Sequence, residues 1–372
     1  MSLNSLILCS DQKVMRVLRR VLSDLEIGIE DCGDADSAMR RITRRRFEAV
    51  IVDCSDIQTA TRVLTGVRSA PANKRAIALA IIDRQQAVRN AFAMGANLVL
   101  YKPLTFDRAR SSFRAARALM RCERRRNARV PVQIPVTLVT GKRRQEIFTT
   151  DISEGGVAVR LTPGTRLNQG PAEVQFVLPG TDHQISCGAE VAWKSVGPET
   201  GIRFAGLARR DREHLRSWLR QNSSDVEGED PPISCRLSDL SLAACYLEMP
   251  APLPCGTRVT LIMHASSRRY LVEGIVRVMH PETGMGLELV RATDEERNQI
   301  KVFLQTLRKQ VERPEFSVEP EGMDEGSREK ANPEAEDPLL ELLLRAGDMD
   351  REAFRDELVK QRTPSKAKAV SV

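Results

Sequence analysis

The sequence predicts a multidomain chain: an α/β domain with a doubly wound parallel sheet, then two small antiparallel β-barrels, then a disordered C-terminal tail. Three observations carry this prediction. Over residues 1–121, short apolar runs alternate with helical patterns, as in βαβ units. After Pro131 the period changes to alternation between Gly and Pro turns, as in a small barrel. The barrel pattern then occurs a second time, at an offset of about 83–88 residues. A length of 372 residues suits two or three domains. With only 10 Phe, 3 Tyr and 2 Trp, the cores must be aliphatic.

In the first domain, Leu6–Cys9 reads as a strand, followed by a helix carrying Val14, Val17, Val21 and Leu25. A helix from Asp36 to Arg46 precedes the buried strand Ala49–Asp53. Ala76–Ile82 and Asn97–Tyr101 are further strands, with the helix Gln85–Met94 between them. A helix from Thr105 to about Met120, with Phe106, Ala109, Phe113 and Ala116 on one face, runs on into the arginine-rich stretch 121–129. Rearrangement of the first domain is therefore expected to be felt there. Strands of the barrel type follow at Val132–Val139, Val174–Leu178 and Ile185–Trp193, closed by a charged helix from Arg209 to Arg220. An acidic linker, 222–231, leads into the repeat at 232–308, and 309–372 reads as tail with an amphipathic island at 338–360.

Charge and cysteine usage narrow the function classes. The net charge of +7 is uneven, with nine arginines and one acid, Glu123, between Arg108 and Arg129. Arginine forks match phosphate geometry, so a phosphate-bearing partner is favoured over a general basic character. Eight scattered cysteines with no CxxC pair give neither zinc spacing nor a disulfide framework. The start carries no basic, then apolar, leader, and no uncharged run reaches 18 residues. The expected location is the cytoplasm, with no membrane partner. His183, His214, His264 and His280 are scattered, and no phosphate-binding loop, nucleophile elbow or dinucleotide fingerprint occurs, so no catalytic residues are assigned.

Asp53 at the end of its strand, Lys102-Pro103 after another, and Asp11 after the first together resemble the receiver domain of bacterial response regulators, over residues 1–121. The resemblance implies Asp53 as phosphoacceptor, Asp11 as one of the acids holding Mg²⁺, and Lys102 as reader of the phosphoryl group. The departures are Ser10 at the second acidic position, Ala80 at the Thr/Ser position counted back from Lys102, and Cys54–Gln58 after the acceptor. One acid makes a poor Mg²⁺ site. The expectation is a degenerate receiver serving docking or homodimerisation, with Mg²⁺ only if it is phosphorylated.

Arg125-Arg126-Asn127-Ala128-Arg129, with Asp151-Ile152-Ser153-Glu154-Gly155-Gly156 following 21 residues later, resembles the PilZ domain through its RxxxR and [D/N]xSxxG elements, over residues 122–221. The resemblance implies a non-catalytic receptor for cyclic di-GMP in bacterial signal transduction. Arginine forks can pair with phosphate or guanine and can stack on the base. The implied ligand residues are Arg125, Arg129, Asp151, Ser153 and Gly156, with Arg124 and Arg126 as auxiliaries. Gly156 is expected to let the ligand approach the backbone. The same residues could instead organise a turn, through Asx-type bonds and a bulge. The second copy has Asp239 and Ser241 but Ala244 in place of the glycine, behind the acidic lead-in 225–230, and is read as a PilZ-like barrel that has lost binding. The alternatives are a phosphorylation-driven two-component regulator whose barrels are scaffolds for an unidentified downstream protein, and, less favoured, DNA binding through 108–129.

Overall fold

The computed structural model describes residues 3–83, 88–141, 143–161, 172–195, 197–223, 230–265, 268–291, 294–309, 314–323, 337–346, 349 and 351–362. Two compact units result: Arg124–Glu229 forms one, and Ser2–Glu123 together with Asp230–Val372 forms the other.

The larger unit begins with β1 (Leu3–Leu8), α1 (Gln12–Asp24), β2 (Ile27–Cys32), α2 (Ala35–Arg44), β3 (Ala49–Asp53), α3 (Ile57–Ser69), β4 (Ile77–Asp83), α4 (Val88–Ala93), β5 (Leu98–Lys102) and α5 (Phe106–Asn127). The strands make a parallel sheet in the order β2-β1-β3-β4-β5. Aspartates start three of the helices: Asp11, Asp34 and Asp56 each accept from amides of the first turn of α1, α2 and α3. The central strands are apolar on both faces, as a sheet covered on both sides requires. Helix α5 runs 22 residues, through the arginine cluster Arg124–Arg126, so the expected continuity of the last helix with that cluster is present. The start of the expected Gln85–Met94 helix lies outside the described residues.

The smaller unit holds β6 (Val130–Pro131), β7 (Pro135–Thr140), β8 (Arg143–Ser153), β9 (Gly156–Arg160), β10 (Ala172–Val177), β11 (Gln184–Lys194), β12 (Glu199–Ala205) and α6 (Arg209–Asn222). Six strands close as β8-β7-β10-β11-β12-β9 and back to β8, with β6 added on β8. Alternate side chains such as Val136, Leu138, Val159, Val174, Phe176 and Ile185 fill the interior, and Leu215, Trp218 and Leu219 of α6 join that core.

The larger unit resumes with β13 (Ile233–Leu240), β14 (Ala244–Glu248), β15 (Thr257–Ala265), β16 (Arg268–His280), β17 (Gly284–Leu289), α7 (Asp294–Lys309), β18 (Glu315–Met323), α8 (Pro338–Arg345) and α9 (Arg351–Arg362). The second barrel closes in the order β13-β14-β17-β16-β15-β18. Here the sequence reading needs correction, because residues 315–323 belong to the barrel rather than to a tail starting at 309. Strand β18 pairs with both β13 and β15, the slot that β7 fills between β8 and β10 in the first barrel. The second barrel is thus a circular permutation of the first: the strand that opens one closes the other. The Glu-, Pro- and Ser-rich composition hid the alternation that puts Phe316 and Val318 against the core.

The amphipathic island is also ordered, as two helices. Leu339, Leu340, Leu342 and Leu343 of α8, with Phe354 and Leu358 of α9, pack on Ala243, Ala244, Tyr246 and Val278 of the second barrel. The first sheet, α5 and the second barrel share one continuous apolar core. In that unit the Cys122 thiol donates to the Pro320 carbonyl (3.0 Å), and the Glu123 carboxylate accepts from the Met323 amide (2.7 Å). If β18 is integral, Val318→Ala, at a fully buried position, costs about 2 kcal/mol of stability in urea unfolding; a residue in a disordered tail would cost nothing.

Candidate functional site

The two motif elements of the first barrel are brought together by backbone pairing. After α5 the chain turns at Ala128 and enters β6, whose Val130 and Pro131 pair with Ile152 and Asp151 at the end of β8. Thr149, fully buried, fixes this lead-in by accepting from the Ile134 amide (3.0 Å) and donating to the Val132 carbonyl (2.5 Å). Arg129, one residue before β6, thereby lies beside Asp151, and its guanidinium donates to the carboxylate at 2.7 Å. Ser153 donates to the Gly156 carbonyl (3.0 Å), closing the tight β8–β9 turn. Glu154, in that turn, is held by Arg216 of α6 at 2.5 Å. The open side of Gly155 faces the backbone carbonyl of Arg126 at 3.8 Å. Arg124, Arg125 and Arg126 occupy the last turn of α5, half-buried and each engaged in further interactions.

A side chain at Gly156 would run into the Ile202 carbonyl of β12, so close packing of β9 on β12 by itself requires a glycine here. Thr149 and Arg216 were not singled out, yet they position the lead-in and the turn. Its place on the same strand face as Ile147, two residues earlier, was the available signal for Thr149; nothing local marked Arg216.

In the first domain, Asp53 is buried at the end of β3, with Lys102 Nζ 2.7 Å from Oδ1 and 2.9 Å from Oδ2. Ser55 Oγ donates to the same carboxylate (2.9 Å) and accepts from Lys102 (2.8 Å). The thiol of Cys9 lies 3.4 Å away, where β1 ends. Burial raises the Asp53 pKa, but hydrogen bonds from Lys102 and Ser55 and the Lys102 charge outweigh it, so the net shift is below the ordinary value. For Lys102, burial pulls down while the bond and charge of Asp53 pull up, and the net shift is upward. Asp11 spends its Oδ1 on capping α1, accepting from the Lys13 and Val14 amides. A thiol, a capping carboxylate and a lysine-bound carboxylate do not fit a hard cation that wants several free oxygens, and among the described residues no metal-binding group of three His, Cys, Asp or Glu is present. Ala80 is not the counterpart of the expected hydroxyl position, since it is fully buried mid-strand opposite Val52. The β4 residue in register with Lys102 is Asp83. Counting back from Lys102 misplaced it because the connection after β4 has its own length.

The family model of the PilZ domain matches residues 123–221. This segment is a PilZ domain. No curated protein matches the chain. Among solved structures, the chain is similar to the receiver domain of a sensor histidine kinase from Pseudomonas aeruginosa, crystallised with magnesium, at 20% identity over 29% of this chain and 92% of that one (TM-score 0.27). It is similar to the PilZ domain of CeSA from a cellulose-synthesising bacterium at 21% identity over 26% and 94% (TM-score 0.21). It is also similar to adenylate cyclase from Rhodopirellula baltica at 18% identity over 31% and 87% (TM-score 0.28).

The second barrel repeats the PilZ turn without its setting. Ser241 donates to the Ala244 carbonyl (3.1 Å), as Ser153 does to Gly156. The amide of Ala243, counterpart of Gly155, is taken by the Asp337 carboxylate (3.1 Å), which also caps α8. Helices α8 and α9 therefore cover this turn, and β13, the counterpart of β8, has no arginine lead-in of the RxxxR type before it. Most of the acidic lead-in, 224–229, lies outside the described residues.

Two outcomes follow. Gly156→Ala lowers the stability of the PilZ domain by roughly 1–3 kcal/mol in denaturant unfolding, with or without ligand, because the methyl group has no room. The Asp53–Lys102 pair contributes fully above the ordinary carboxylate range. Its contribution is lost as pH falls through the depressed Asp53 value and, at the other end, as pH rises through the raised Lys102 value. The difference in unfolding midpoint between the native chain and Asp53→Asn is expected to shrink on acidification below pH about 4.

Proposed function

We propose that the chain is a non-catalytic receptor for cyclic di-GMP, with the ligand held by the PilZ domain at Arg125, Arg129, Asp151 and Ser153, and by Arg124 and Arg126 as auxiliaries. The observation carrying this reading is the β6–β8 pairing, which seats Arg129 of the RxxxR element against Asp151 of the DxSxxG turn at 2.7 Å. The chemistry suits the ligand. Guanidinium forks pair with its phosphates and with guanine O6 and N7, and can stack on the base. The Asp151 carboxylate accepts from the guanine N1–H and N2–H₂ edge, and Arg129 holds that carboxylate in place beforehand. Gly155 leaves open the side of the turn that faces the lead-in. Gly156 is proposed with these ligand residues as the one that lets the ligand approach the backbone, besides meeting the packing demand of β12.

Occupancy would be read out through α5, since Arg125 lies in its last turn and residues up to Glu123 are packed into the larger unit. In this reading the first domain and the second barrel form a platform for a downstream protein and do not themselves bind the messenger. A phosphorylation-driven regulator is less well supported, because Asp53 already bonds Lys102 and Ser55, and Asp11 spends its Oδ1 on capping α1. DNA binding through 108–129 is also weakened. Arg108 pairs with Glu282 (3.6 Å), and Arg117 and Arg121 both pair with Asp230 (3.5 and 3.0 Å), so the run is not a free basic stripe.

Calorimetric titration of the full chain with cyclic di-GMP tests the proposal. Saturable binding is expected, with Arg129→Ala costing roughly 1–3 kcal/mol and Arg125→Ala/Arg129→Ala abolishing it. No binding to the native chain would demote the PilZ domain to a scaffold.

A further inference from the structure

Helix α2 carries a second arginine cluster, separate from the PilZ lead-in. Arg40, Arg41, Arg44 and Arg45, with Ser37 and Glu30, line a cavity of about 510 Å³ against the edge strand β2. Arg40 and Arg44 stand one turn apart on the helix, with Arg41 beside Arg40 and Arg45 at the extended residue that ends the helix. Like charges so placed repel each other, and burial does not explain their presence, since the arginines are half-buried or exposed and the buried side chains of α2 are Ala38 and Ile42.

The only carboxylate lining the cavity is Glu30, which takes Arg41 at 2.5 Å and Arg45 at 3.5 Å. Arg40 donates to the Ser37 hydroxyl (2.9 Å), and Arg44 has no ion-pair partner among the described residues. Asp34 takes the Ser37 hydroxyl (2.9 Å) and lies in the field of Arg40, so four guanidiniums face two carboxylates, an excess of two positive charges. Arginine does not deprotonate in proteins, so this excess persists at every working pH.

We propose that this cavity binds a compact polyphosphate, recognised through its linked phosphates. Four forks offer more donors than one phosphate can take up, and the volume lies in the range of small-ligand sites. The lining holds no aromatic side chain, and its planar forks are suited first to paired phosphate oxygens. The chain length of the phosphate sets affinity, and an attached nucleoside adds little. Glu30 competes with the ligand for Arg41 and Arg45.

The test is calorimetry on the full chain with inorganic triphosphate, orthophosphate and a nucleoside triphosphate. Triphosphate is expected to bind at one site, roughly tenfold or more tighter than orthophosphate and about equal to the nucleoside triphosphate. Arg40→Gln/Arg44→Gln should weaken it roughly tenfold or more while leaving cyclic di-GMP titration unchanged. Glu30→Gln should tighten it, a gain that a merely structural role for Glu30 would not produce. The proposal is overturned if triphosphate does not saturate, if affinity is the same in the Arg40/Arg44 variant, if it falls in Glu30→Gln, or if it is lost instead in Arg125→Ala/Arg129→Ala. Clear preference for the nucleoside triphosphate would overturn the claim that phosphates alone are read.

Discussion

Burial of α5 on more than one side is the constraint on which the rest of the molecule depends. Ala109, Phe113, Ala116 and Leu119 lie in the core shared with the first sheet and the second barrel, and Ala115, Ala118 and Cys122 are buried as well. Small residues allow close packing all round, and a helix so enclosed cannot shift without disturbing both neighbours. Glu123, almost fully buried, ties off this stretch with Arg75 (3.4 Å) and the Met323 amide. One residue later the chain leaves for the PilZ domain, and it returns at Asp230, which is clasped by Arg117 and Arg121 of the same helix. The PilZ domain is therefore an insertion into a composite of sheet and barrel. Its arginine element is spelled out in the helical turn just beyond the anchor.

The two barrels carry the same turn in different settings. Both have the Asp-x-Ser pattern and the same serine-to-carbonyl bond. In the first, an arginine lead-in is laid along the turn by β6. In the second, the strand that would follow such a lead-in comes from the far end of the chain, and Asp337 with α8 occupies the turn. A carboxylate on a backbone amide and a leucine-lined helix on the barrel wall make a stable internal contact. In the second barrel the turn is covered by a segment of the chain itself.

Features resting on local pattern were legible in the sequence. The parallel sheet and both barrel patterns follow from periodicity and strand ends; the joining of RxxxR to DxSxxG and of Asp53 to Lys102 was reached through the resemblance to the PilZ and receiver families. What was not legible depends on partners distant in the chain. The arginine block reads as a basic stripe until Asp230 and Glu282 are seen to neutralise part of it. Strand β18 is too rich in Glu and Pro to stand out, and only its two neighbours make it a strand. The packing demand on Gly156 was hidden because the carbonyl that excludes a side chain belongs to a strand some 45 residues on. Ala80 was misplaced because a residue count across a connection carries no information about where the strand ends.

The permuted order of the second barrel also has a consequence for how the protein is made. During synthesis the PilZ strands emerge contiguously, so that domain can close while the ribosome is still working. The second barrel cannot, for β13 and β15 wait with open edges until residues 315–323 have been produced. Until then α5 also lacks one of its packing partners, and the nascent chain presents apolar surface and unpaired strand edges together. A stall or cleavage between α7 and β18 would strand a product whose PilZ domain is closed but whose second barrel is unfinished.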